Sequence, residues 1–107
     1  MERILIVARM REPAEAEIAR LFGHSDGTTP LPELGGAVSR SLFSFQGLYF
    51  QLMEVEGSAA ETMARIRDRP EFQELSRNLT QYIEPYDPQS WRSPRDAMAT
   101  EFYRWER

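Results

Sequence analysis

Between Ala37 and Val55 the chain reads AVSRSLFSF, then Gln46-Gly47, then LYFQLMEV. Two alternating runs joined by two turn residues predict a β-hairpin. A type I′ turn needs positive φ at both central positions. Gly47 meets this freely, and Gln46 is an ordinary residue in an awkward place. The register follows from the turn: Phe45 opposite Leu48, Phe43 opposite Phe50, Ser41 opposite Leu52. The other face sets Arg40, Leu42 and Ser44 against Met53, Gln51 and Tyr49. Opposed residues share a face, and diagonal neighbours lie roughly 7–8 Å apart. Arg40 and Gln51 are therefore diagonal neighbours among Leu42, Tyr49 and Met53. A cation and an amide on an otherwise apolar strand face describe a pocket wall. The reading depends on the turn, because a longer loop would slip one strand and send Arg40 and Gln51 to opposite faces.

Ile4 to Ala8 (ILIVA) is a continuous apolar run between Arg3 and Arg9, which predicts a central strand buried on both faces. Pro13 suits the first position of a helix. Ala14, Ile18, Leu21 and Phe22 follow at helical spacing, and Gly23 is expected to end that helix. His24 to Gly36 (HSDGTTPLPELGG) then reads as a long irregular loop, a kind of segment that is often functional. After the hairpin, Ser58 and Glu61 form a capping box for a helix reaching about Asp68. Pro70 restarts helix, with Phe72, Leu75, Leu79, Tyr82 and Ile83 as its apolar stripe until Pro85 and Pro88 forbid continuation. Trp91 is expected to anchor an irregular crossing from Asp87 to Met98. Thr100 to Trp105 (TEFYRW) alternates and predicts the last strand.

The order strand, helix, strand, strand, helix, strand is the split βαβ pattern. It predicts an α+β, ferredoxin-like βαββαβ fold in one domain spanning residues 1–107, with a four-stranded antiparallel sheet. Helices cover one face of such a sheet. Phe43, Phe45, Phe50 and Leu52 make the other face too apolar for water, so a homodimer packed sheet on sheet, a dimeric α/β-barrel-type assembly, is expected. Arg40, Ser44, Tyr49 and Gln51 then face the helices, where a cavity can open.

Several classes are excluded or disfavoured by composition. The chain has no cysteine and one histidine, so no thiolate nucleophile, disulfide or usual zinc site can be built. A net charge of −4 argues against nucleic acid. No run is long and apolar enough for a membrane span, and no signal peptide is apparent, so the expected location is cytoplasmic. Phosphate loops and G-x-S-x-G elbows are absent.

His24 is the one side chain of the type that suits acid–base work near neutral pH, and it stands at the expected helix end, with Asp26 in reach to orient it. Alternatively, it is a helix-terminal His bonding the last carbonyls, with Asp26 a turn former. Arg40 reads equally as a pocket cation or as a partner of Glu54 or Glu56. Arg9 lines the cavity or snorkels into solvent. Gln51 reads alternatively as a solvated or dimer-facing amide, and Tyr49 as a core residue.

Taken together, certain segments resemble a known family. They are Val7 to Pro13 (VARMREP), Phe22 to Thr28 (FGHSDGT), Leu31-Pro32 before Gly35, Arg40 to Phe45 (RSLFSF), Leu48-Tyr49, Pro70 to Phe72 (PEF), Tyr82 to Pro88 (YIEPYDP), Trp91, and Phe102 to Trp105 (FYRW). In order and spacing, over essentially the whole chain, they are similar to the tetracenomycin-type cyclases of aromatic (type II) polyketide pathways. The resemblance implies a dimeric ferredoxin-like fold and a cavity between sheet and helices. It also implies ring closure of an aromatic polyketide intermediate by aldol condensation and dehydration, without cofactor or metal. In that family a His and an Asp of this loop region and an Arg of the second strand act on the substrate; His24, Asp26 and Arg40 stand at those places. Gln51 stands where the best-known cyclase has His. Tyr49, Leu42, Met53 and Arg9 would complete the substrate site. A non-catalytic polyketide-binding accessory protein and a cofactor-free monooxygenase of a related dimeric αβ barrel are the competing expectations.

Overall fold

Ile4 to Ala8 lie in the middle of strand β1 (Glu2–Met10), which holds a central place in the sheet. The computed structural model describes residues 1–107. After β1 come α1 (Glu15–Thr28), α2 (Leu31–Gly35), β2 (Ala37–Phe45), β3 (Leu48–Val55), α3 (Ala59–Ile66), α4 (Pro70–Leu79) and β4 (Ile83–Pro85). The sheet order is β2-β3-β1-β4, and every pairing is antiparallel. This is the ferredoxin-like arrangement expected from the element order.

The hairpin register matches the expected one along its length, from Phe45 opposite Leu48 to Arg40 opposite Met53. Gln46 and Gly47 have φ of 47° and 78°, as the type I′ turn requires. Strand β1 then sets Ile4, Ile6 and Ala8 beside Met53, Gln51 and Tyr49. All six side chains share one face by the period of two, and the helices cover that face. On the opposite face Phe43 and Phe45 are 54% and 61% exposed, and Phe50 and Leu52 are half-buried.

Two expectations need correction. First, Gly23 does not end α1. The helix runs on to Thr28 and takes in both Gly23 and Gly27, neither of which has positive φ. Glycine in a helix interior costs about 1 kcal/mol relative to Ala. The cost is met because Ile18, Phe22 and Ser25 form one buried stripe along the helix. The expected loop is thus the end of α1 plus the short α2. Second, the fourth strand is not Thr100–Trp105 but Ile83–Pro85, paired with Ala8 to Met10, so α4 stops at Leu79 and Tyr82 and Ile83 lie beyond the helix whose stripe they were expected to extend. Further along the same edge, Met98 bridges Ile6 and the Ala99 N–H donates to the Leu5 carbonyl at 2.7 Å. The chain has by then run down most of β1. Residues 100–107 form no strand, and Phe102 is 96% exposed.

The left-handed residue at the end of α2 is Gly36, at φ 71°. A β-carbon there would lie 3.2 Å from the Glu56 carbonyl, whose own N–H donates to the Gly36 carbonyl at 2.8 Å. Substitution G36A is expected to destabilise the fold by about 1–2 kcal/mol, read as a lower urea midpoint with unchanged slope.

Candidate active site

The core is built as two clusters. Ala8, Ala14, Ile18, Phe22 and Tyr49 form one, and Ile4, Met53 and Val55 the other. A cavity of about 540 Å³ spans the gap. Its floor is the sheet face carrying Ile4, Ile6, Ala8, Tyr49, Gln51 and Met53, and its roof is Phe22, Ile66, Phe72, Leu75 and Leu79 of the helices. The crossing segment closes one side with Trp91, Pro94 and Met98. A volume of this order suits a multi-ring organic molecule, and the lining is of the kind that takes one: mostly apolar, with a few polar groups at set places.

Those polar groups are connected. The buried Tyr49 hydroxyl donates to Gln51 Oε1 at 2.9 Å, and Gln51 Nε2 donates to Met53 Sδ at 2.9 Å. Spacing of two along β3 brings the three side chains into a row. Arg40 reaches the same sulfur from β2, with Nη1 3.5 Å from Met53 Sδ. Its Nε and Nη2 donate to Asp26 Oδ2 and Oδ1 at 3.0 and 2.9 Å. The guanidinium carbon stands 4.8 Å from the centre of the Phe22 ring. Held from three sides and only 17% exposed, the cation is pre-positioned. Two of its five N–H bonds go to Asp26 and one leans on the Met53 sulfur. The rest remain for a ligand in the cavity, which Arg40 lines.

Burial raises the Tyr49 phenol far above its ordinary value, against a smaller lowering by the Arg40 charge. The sign for stability follows from linkage. Above about pH 10 an unfolded Tyr ionises while the folded Tyr49 keeps its proton, so the unfolded state gains. Stability is expected to fall by up to about 1.4 kcal/mol per pH unit above pH 10, and Y49F is expected to flatten that limb. Urea unfolding from pH 9 upward checks it.

The candidate residues distribute as follows. Arg40, Tyr49, Gln51 and Met53 line one cavity. Leu42 packs against the first core cluster behind them. Arg40 pairs with Asp26 rather than with Glu54 or Glu56. Asp26 therefore positions Arg40 and not His24. His24 is exposed within α1, away from the cavity lining, and its carbonyl accepts from the Thr28 hydroxyl at 2.7 Å. Its expected place at a helix end is lost because α1 continues for another turn. Arg9 lies on the other face of the sheet, beside Glu84, where it stacks 4.4 Å from the Tyr86 ring centre and donates to the Tyr86 carbonyl. It snorkels rather than lining the cavity.

Sequence reading missed two buried polar side chains of the lining, Ser25 and Thr62. The Thr62 hydroxyl is spent on the Gly35 carbonyl at 2.7 Å. Ser25 lies three residues beyond Phe22 and seven beyond Ile18, a spacing that would have marked it as inward had the helix been continued past Gly23.

The polyketide synthesis cyclase family matches residues 2–106. Over 108 aligned residues the chain is 47% identical to an uncharacterized protein of Streptomyces coelicolor, covering all of this chain and 96% of the relative. It is 44% identical to polyketide synthase CurG of Streptomyces cyaneus, covering all of this chain and 99% of that one. Identity to tetracenomycin F2 cyclase of Streptomyces glaucescens is 40%, over 96% of this chain and 93% of the relative. The solved structure of that cyclase, described as a type-II polyketide cyclase, superposes with a TM-score of 0.87 at 39% identity, covering all of this chain and 99% of the other.

Proposed function

This chain belongs to the polyketide synthesis cyclase family and is a cyclase enzyme of the type II polyketide class, and we propose that it closes a ring of an aromatic polyketide intermediate by intramolecular aldol condensation and dehydration at the Arg40 cavity. The observation that carries this reading is a fixed, partly unsatisfied guanidinium facing a 540 Å³ apolar cavity.

The chemistry runs as follows. A methylene between two carbonyls loses a proton to a water molecule to give an enolate. The enolate carbon forms a bond to a second carbonyl carbon of the same chain, and that carbonyl's π electrons move to its oxygen. The alkoxide takes up a proton. Loss of water and enolisation then make the ring aromatic. The largest contribution of the cavity is to hold a flexible poly-ketone with one pair of carbons in contact. Arg40 stabilises the negative charge as it moves from enolate to alkoxide, in a site with little water to screen it. Asp26 and Phe22 keep the guanidinium in place. The Tyr49 hydroxyl donates its hydrogen bond to Gln51 Oε1, so its oxygen offers a lone pair to an enol or phenol hydroxyl of the substrate. Asp26 takes no direct part, and His24, on the solvent side of α1, is assigned no step.

The exposed apolar face of the sheet supports a homodimer in which Phe43 and Phe45 meet a second copy. The absence of cysteine fits residence in the cytoplasm.

The test is cyclisation of a naphthol bearing a 2,4-dioxopentyl (1,3-diketone) side chain ortho to an acyl group, followed by product profile and rate against the spontaneous reaction. Acceleration of one ring closure supports the cyclase reading. A changed product ratio without acceleration would make the protein a binding template, and oxygen uptake with a quinone product would make it a monooxygenase.

A further inference from the structure

Ser25 is 5% exposed and lines the cavity. Its carbonyl accepts from both the N–H and the hydroxyl of Thr29. Its own hydroxyl bonds no protein group and is not sealed off. A buried hydroxyl that bonds no protein group but opens on a cavity is free to bond what enters it, so a polar atom of a ligand is its natural complement. Gln51 and Thr62, the other buried polar side chains of the lining, already bond within the protein.

The place of Ser25 is also informative. Phe22, Ser25 and Asp26 stand at i, i+3 and i+4, which makes them neighbours on one face of α1. The Arg40 guanidinium lies against that face, over the Phe22 ring and bidentate to Asp26. Ser25 thus lines the cavity from the same helix face that carries two of the groups holding Arg40.

Resting on the cyclase reading above, we propose that the Ser25 hydroxyl is a second hydrogen-bond donor to the oxygen Arg40 stabilises, so that the two side chains form one oxyanion site. As the carbon–carbon bond forms and the carbonyl π pair moves to oxygen, Ser25 donates to that oxygen and keeps its own proton. The proton that neutralises the alkoxide comes from solvent, and water leaves in the next step. Two donors from different elements, one charged and one neutral, also select the carbonyl that is attacked: only a carbonyl reaching both α1 and β2 is activated.

The experiment is the naphthol-diketone assay with wild type, S25A, S25T and R40A/S25A. Alanine is the better helix former, so S25A is expected to fold, and a thermal melt checks it. The expected result is a kcat lower by roughly 10²-fold in S25A with KM little changed, recovery in S25T, and little further loss when S25A is added to R40A, because the two donors act on one oxygen. Equal rates for S25A and wild type would overturn the proposal and leave the cyclase reading standing. Equal losses in S25A and S25T would overturn it too, by assigning the effect to packing. Failure of wild type itself to accelerate the reaction would remove the cyclase reading and this proposal together.

Discussion

Replacing Arg40 by alanine is expected to slow ring closure roughly 10²–10³-fold, as for removal of a main oxyanion donor, while the protein stays folded. The rate loss follows from where the charge sits. Arg40 is the cation among the cavity-lining residues, and its guanidinium is held by Asp26, the Phe22 ring and the Met53 sulfur before any substrate arrives. No reorganisation is then needed when charge develops on oxygen. Folding should survive because the group left behind, Asp26, is partly exposed and can be hydrated. The expected signature is a fall in kcat larger than the rise in KM, because the interaction grows in the transition state. R40K should recover only part of the rate: an ammonium keeps the charge, but it cannot make the two-pronged bond to Asp26 that sets the position of the cation. D26N is expected to mimic R40K, losing position while retaining charge. A full-rate R40A would place the chemistry elsewhere in the cavity.

Replacing Phe22 by alanine is expected to cost about 3–5 kcal/mol of stability, a large part of the 5–15 kcal/mol typical of a small domain. Phe22 is buried in the first core cluster beside Ala8, Ile18 and Tyr49, and it also lines the cavity and carries the Arg40 guanidinium. The cavity already separates sheet from helices at this point, so the vacated space merges with it instead of collapsing. F22L divides the two roles. Leucine retains most of the apolar volume, so its stability loss should be much smaller, but it offers no ring face to the cation. Activity in F22L should fall more than stability does. Urea unfolding gives the first quantity and the cyclisation rate the second. If F22L were fully active, the stack on Phe22 would be packing alone and Asp26 would be sufficient to hold Arg40.

The hairpin was legible residue by residue because its determinants are local. A two-residue turn with Gly47 and a period of two specify which side chains oppose one another, and the structure has that register from Arg40 to Met53. The central placement of β1 was equally plain from ILIVA. Two stretches were misread for one reason: local signals were outweighed by packing. Gly23 carries a helix-stop signal of about 1 kcal/mol, which the buried stripe of Ile18, Phe22 and Ser25 exceeds. TEFYRW alternates as a strand should, yet the edge of β1 is already occupied by Ile83–Pro85 and Met98, and alternation alone cannot create a pairing partner.

The candidate site divides in the same way. Arg40, Tyr49, Gln51 and Met53 were found together because one hairpin carries them all, and the amino-acid sequence alone determines that they share a face. The remaining features of the site join segments far apart in the chain. Asp26 pairs with Arg40 across fourteen residues, His24 is turned to solvent and Ser25 to the cavity by the continuation of α1, and Arg9, on the far face by the alternation of β1, is held there by Tyr86 from a distant segment. These outcomes depend on where α1 ends and how it docks on the sheet. Docking is set by the summed burial of many side chains against the cost of a few unfavourable ones, a balance that exists only once the layers have come together.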